Sequence, residues 1–193
     1  MSQFGAFLPL GFHHITAPGA LDHLLFLLAL VAPYRFRDWR HLLTVASAFT
    51  IGHSLTLALL VTDVVRLPTA LVEFLIPLTI IGASLANLRR GRRAAGGGWT
   101  APLLAGGFGL IHGAGFASVL RALFQGPVAL PLFAFNLGIE LGQLVVLAGW
   151  LVLLTGIDSA LLWVPAAGRW PRAALPSLTA TAGAILLAVQ RIP

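Results

Sequence analysis

The chain contains no cysteine and no lysine, and its single methionine is the first residue. Without cysteine there can be no disulfide, no thiolate metal site and no cysteine nucleophile. A soft-ion site for Cu(I) needs thiolates or thioethers, and none lies inside the chain. Charge is scarce as well: 9% of the 193 residues are Asp, Glu, Lys or Arg, against about 25% in soluble domains. Hydrophobic residues make up 58%. Such a balance excludes an ordinary soluble domain and points to an all-α polytopic membrane protein. A helical span needs ~20 residues, so six spans take ~120 and leave only short loops.

All of the positive charge is arginine, with a net charge of +6. The arginines sit in loops between apolar runs, so they mark membrane topology rather than a nucleic-acid surface. The first is Arg35, so a secretory signal with a basic n-region is not expected. Hydropathy and turn residues predict one transmembrane domain of six helices, near 18–33, 41–61, 69–88, 101–123, 129–154 and 173–189. Pro18 is expected to open the first helix. Residues 4–12, broken by Pro9, are expected to be irregular backbone at the outer mouth. The loops after helices one, three and five hold Arg35, Arg37, Arg40, Arg89, Arg90, Arg92, Arg93, Arg169 and Arg172. The other side holds Arg66, Arg121 and Arg191. The positive-inside rule then places both termini outside, N-out and C-out.

The most informative stretch runs from Phe12 to His23. It packs His13, His14, Asp22 and His23 against the apolar run Leu24-Leu25-Phe26-Leu27-Leu28. Imidazoles and a carboxylate at the mouth of an apolar helix are costly unless something binds them. Other spans add His53, His112 and Glu140. At 1.5 Å per residue, His53 lies ~12 Å, and His112 and Glu140 ~16 Å, from the outer ends of their helices. Asp22, His23 and Glu73 sit shallower on the same side. Asn136, Glu140 and Gln143 share one helix face. Candidate metal ligands are therefore His14, Asp22, His23, His53, His112 and Glu140, with Glu73, Asn136 and Gln143 in support. His13 competes with His14 for one position. Imidazole with carboxylate suits Ni²⁺, Co²⁺, Zn²⁺ or Fe²⁺. Each residue also has a plainer use: a buried histidine can simply bridge helices, and Glu73 or Asn87 can cap one. The pairs Gly109/Gly113 and Gly138/Gly142 fit close helix packing, within the chain or between copies in an oligomer.

In these blocks the sequence resembles the HupE/UreJ family of bacterial membrane proteins. The matching segments are His14-Ile15 with Gly19 and Asp22-His23-Leu24-Leu25-Phe26, then Phe49-Thr50-Ile51-Gly52-His53-Ser54-Leu55-Thr56. Val72-Glu73, Phe108-Gly109-Leu110-Ile111-His112-Gly113 and Phe135-Asn136-Leu137-Gly138-Ile139-Glu140 follow in order. The gap between His14 and Asp22 is longer than the family's usual spacing. The resemblance implies uptake of nickel, or cobalt, by a secondary permease.

The residues alone leave other functions open. One is an intramembrane metalloenzyme holding Zn²⁺ or Fe, acting on a lipid-soluble substrate with Glu140 as base. Neither HExxH nor GxSxG occurs in the chain. Another is a membrane subunit that binds metal without moving it. The expected partners are a metal ion and membrane lipid, and no nucleic acid.

Overall fold

The computed structural model describes residues 2–90, 98–124, 126–161 and 173–191. Among them the secondary structure is helical: α1 (Gln3–Thr16), α2 (Leu21–Val31), α3 (Trp39–Val61), α4 (Thr69–Arg90), α5 (Thr100–Gly115), α6 (Ala117–Leu123), α7 (Ala129–Leu161) and α8 (Ala174–Gln190). A short 3₁₀ turn, Phe36–Asp38, leads into α3. Helices α3, α4 and α7 are long and apolar enough to cross a membrane. The bent pairs α1–α2 and α5–α6 bring the candidates to five if each pair is one span, and α8 is apolar but shorter. Large apolar side chains such as Ile51, Leu103, Phe133, Val152 and Leu186 are exposed. A soluble protein rarely carries so much apolar surface around its girth, and a lipid-facing bundle requires it.

Three sequence expectations need correction. Residues 3–16 are not irregular backbone but a helix, with Pro9 inside it and the Ser2 hydroxyl accepting the Gly5 N–H. The reason is tertiary. The α1 backbone is packed directly on α7 at Gly11 and Gly138, and a segment held among apolar neighbours has to satisfy its own backbone groups. Pro18 does not open a helix; it closes one. The residue before a proline avoids the helical region, and Ala17 is extended at φ −62°, ψ 140°. α2 starts only at Leu21, bent 68° from α1. The expected span over 101–123 is likewise broken, by 52° at Phe116, behind Gly113 and Gly115.

The last helices also differ in extent. α7 continues into what was expected to be loop five, and residues 162–172 of that loop lie outside the described residues. Residues 91–97 of the basic loop do too.

Two helix pairs form the frame, and both are glycine-lined. A Cβ on Gly52 of α3 would collide with the Gly106 carbonyl of α5, and one on Gly109 or Gly113 with the Phe49 or His53 carbonyl. Between α1 and α7, Gly11 meets the Phe135 carbonyl and Gly138 the Leu8 carbonyl. In each pair the contacts advance together along both helices, so the partners run parallel. Of the two uses open to the Gly109/Gly113 and Gly138/Gly142 faces, the structure shows packing inside the chain. The helices α4 and α8 run antiparallel: Asn87 Nδ2 reaches Ser177 Oγ at 3.4 Å, and Arg191 donates to the Glu73 carbonyl at 3.4 Å. The same Asn87 amide donates to the Ala29 carbonyl at 2.7 Å, tying α2 to this pair rather than capping α4. Asp63, at φ 63°, closes α3 and accepts paired bonds from Arg66 and Arg121.

Candidate metal centre

Both helix breaks deliver histidine. His14 lies in the last turn of α1, and His23 in the first turn of α2. His112 lies in the last turn of α5, and His53 comes from the glycine-packed stretch of α3. The rings meet: centroids lie 4.7 Å apart for His14–His23, 6.1 Å for His14–His53, 6.2 Å for His23–His53 and 5.4 Å for His23–His112. One nitrogen from each of His14, His23 and His53 falls within 4.8 Å of the others. His53 is fully buried, and His23 and His112 nearly so.

Hydrogen bonds decide which nitrogens face inward. His23 Nδ1 pairs with Asp22 Oδ1 at 3.0 Å, and Asp22 Oδ1 also accepts the His23 backbone N–H at 2.9 Å. A neutral His23 therefore keeps its proton on Nδ1 and presents a bare Nε2. The other carboxylate oxygen, Oδ2, is held by Arg191 at 3.3 Å. At His112 the Thr79 hydroxyl does the same work. Thr79 donates its proton to the Ile76 carbonyl at 2.6 Å, so it accepts from His112 Nε2–H at 2.8 Å. His112 Nδ1 is then the bare nitrogen. His14 Nε2, His23 Nε2, both nitrogens of His53 and His112 Nδ1 are buried and have no protein partner. Buried polar atoms left this way are expensive unless a further group satisfies them.

The surroundings are aromatic. Phe116 lies 4.2 Å from His14, centroid to centroid, and stacks on Phe135 at 5.5 Å. Phe26 and Phe49 stack at 4.7 Å and flank His112 at 5.0 and 5.3 Å.

Of the other candidates, Asp22 stands behind His23 rather than beside the bare nitrogens. Glu140 and Gln143 face α3: Ser47 Oγ donates to Glu140 Oε1 and Thr50 Oγ1 to Gln143 Oε1, each at 2.7 Å. Asn136 is half-buried with an unpartnered Oδ1. Glu73 is exposed and gives Arg191 its backbone carbonyl. His13 is exposed beside Phe12 and lies outside the three-histidine group. Sequence reasoning passed over Thr79, Arg191 and Ser47. A threonine inside an apolar helix ordinarily bonds back to its own backbone, so it carries no signal.

The family model described as HupE / UreJ protein matches residues 1–192. The chain belongs to the HupE/UreJ family. No curated protein and no solved structure matches it. As a HupE/UreJ protein it is a membrane protein with a metal-related transport role, and among the described residues His14, His23 and His53 form a group that could hold a metal ion.

Proposed function

We propose that this HupE/UreJ protein takes up Ni²⁺, with Co²⁺ as the second substrate, across the bacterial cytoplasmic membrane. One observation carries the reading: a ring nitrogen from each of His14, His23 and His53, on α1, α2 and α3, lies within 4.8 Å of the others, and each of these rings has a buried nitrogen with no protein partner. Nitrogen ligands of this kind suit Ni, Co and Zn over Mg or Ca. His14, His23 and His53 would hold the ion, and His112 is the fourth imidazole beside them. Asp22 and Thr79 would set the two tautomers, as carboxylates and hydroxyls behind metal-bound histidines do. The arginine-rich loops favour entry from the outer face, N-out and C-out.

Carriage is favoured over hydrolysis by what the acids are doing. Asp22 is engaged by His23 and Arg191, and Glu140 by Ser47. Neither is free beside the histidines to activate water.

The test is nickel uptake into proteoliposomes with metal content measured on the same preparation. Stoichiometric metal and uptake, both lost in His23→Ala and His53→Ala, are expected. Bound metal with no flux would contradict carriage and leave the non-transporting subunit and the metalloenzyme.

A further inference from the structure

The two glycine-lined pairs repeat one another in register. On α1, Gly11 meets the Phe135 carbonyl and the Ile139 N–H of α7. On α5, Gly109 meets the Phe49 carbonyl and the His53 N–H of α3. Conversely, Gly138 of α7 meets the Leu8 carbonyl and the Phe12 N–H, and Gly52 of α3 meets the Gly106 carbonyl and the Leu110 N–H. Setting Gly11 on Gly109 and Gly138 on Gly52 turns one set of contacts into the other, with every partner at the same offset. The sequences agree: Gly11-Phe12-His13-His14 lies on Gly109-Leu110-Ile111-His112, and Phe49-Thr50-Ile51-Gly52 on Phe135-Asn136-Leu137-Gly138. His14 thereby falls on His112. Both sit in the last turn of a helix that ends in a sharp break, 68° after α1 and 52° after α5.

We infer that the chain is an inverted repeat. One half is α1–α2, α3 and α4; the other is α5–α6, α7 and α8. Each half gives its broken first helix to the second helix of the other. Three crossings per half turn the second half upside down in the membrane. The antiparallel pairing of α4 with α8 is what an axis in the membrane plane demands. Transporters built this way bind substrate at the repeat interface, where discontinuous helices meet, and alternate by exchanging the conformations of the two halves.

The two positions that the register relates differ in the present conformation. A crevice beside α2, α4 and α5 is lined by Tyr34, Asn87, Ala101, Ala105 and Phe108. The register places its counterpart near Phe7 and Leu10, where Phe7 closes on Phe124 at 5.1 Å. The inference deepens the transport reading and rests on it for its direction of use. The repeat itself stands on geometry alone.

The cysteine-free chain allows a direct test with membrane-impermeant maleimide. The arrangement itself is probed by Arg37→Cys, before α3, and Pro127→Cys, before α7. They should label from opposite faces of sealed vesicles; labelling from one face overturns the repeat, whatever the metal does. The exchange is probed by Ala101→Cys in the crevice and Leu10→Cys at its counterpart, with metal content confirming that each variant is intact. Added Ni²⁺ should change the two labelling rates several-fold in opposite directions. Rates that move together, or stay fixed while Ni²⁺ binds, overturn the exchange. Loss of Ni²⁺ binding by the unmodified protein would instead count against the function, leaving the two-face result to stand.

Discussion

Thr79 and His112 lie 2.8 Å apart, and the direction of their hydrogen bond is fixed by a third group. The Thr79 proton is committed to the Ile76 carbonyl, so the imidazole must be the donor. One hydroxyl on α4 thereby takes the Nε2–H of His112 and leaves its buried Nδ1 without a protein partner. Thr79→Val keeps the shape and removes the acceptor. It is expected to weaken nickel binding about 10–100-fold, the usual effect of losing a partner behind a metal-bound histidine. Thr79→Ser should restore it. Equilibrium dialysis with Ni²⁺ measures both.

Asp22 is expected to act through His23. Asp22→Asn can still meet Nδ1–H with its amide oxygen but loses the charge that holds Arg191. Nickel affinity should fall by about the same 10–100-fold, while Asp22→Ala should fall further. Arg191→Gln should have the milder effect, because its contact at 3.3 Å is longer and partly exposed. Isothermal titration of the three variants ranks them.

The glycine contacts carry the bundle. Gly138→Ala or Gly52→Ala sets a methyl against a backbone carbonyl of the facing helix. Overpacking against side chains costs about 1–3 kcal/mol, and a carbonyl cannot rotate aside, so the cost should reach at least that range. Gly149→Ala, where no neighbour is met, should leave the thermal midpoint near that of the unmodified protein. Melting in detergent compares the three.

An all-helical membrane fold and the histidines inside its apolar runs are legible in the sequence because they rest on strong local signals: long apolar runs and ionisable residues inside them. Both helix breaks were missed. Pro18 reads equally well as a helix start or a helix stop, and only the packing of α1 on α7 decides which. The opposite error came at Pro9, whose helix is held by glycine contacts far away in sequence. Glu140 was placed with the histidines by its depth, by the cost of a carboxylate there and by its place in a family-matching block. Depth says nothing about which way a helix faces, and α7 turns this carboxylate toward Ser47 instead.

Glu140 therefore separates binding from movement. Glu140→Gln retains a partner for the Ser47 hydroxyl, and it leaves the three imidazoles untouched. Metal content should stay near that of the unmodified protein. A fall in nickel uptake without a fall in content would place Glu140 in the transport cycle, and a fall in content would place it in the metal centre. Paired measurements on one proteoliposome preparation read both.

At the surface, Arg66 and then Arg121 hold the Asp63 carboxyl well below the usual carboxylate range. A carboxyl lowered on folding stabilises above its ordinary pKa and loses that contribution only as the pH falls through the lowered value. The tie between the α3–α4 loop and α6 should therefore survive mild acid. Asp63→Asn should remove part of the loss of stability between neutral and strongly acidic pH. A melting series across pH for both proteins checks the sign.

The central claim is that a transition-metal ion sits among the imidazoles of three separate segments. X-ray absorption at the nickel edge of the loaded, purified protein tests it most directly. Outer-shell scattering from at least three imidazoles is expected, reduced in His53→Ala. A first shell of oxygen alone, with no imidazole signature, would contradict it.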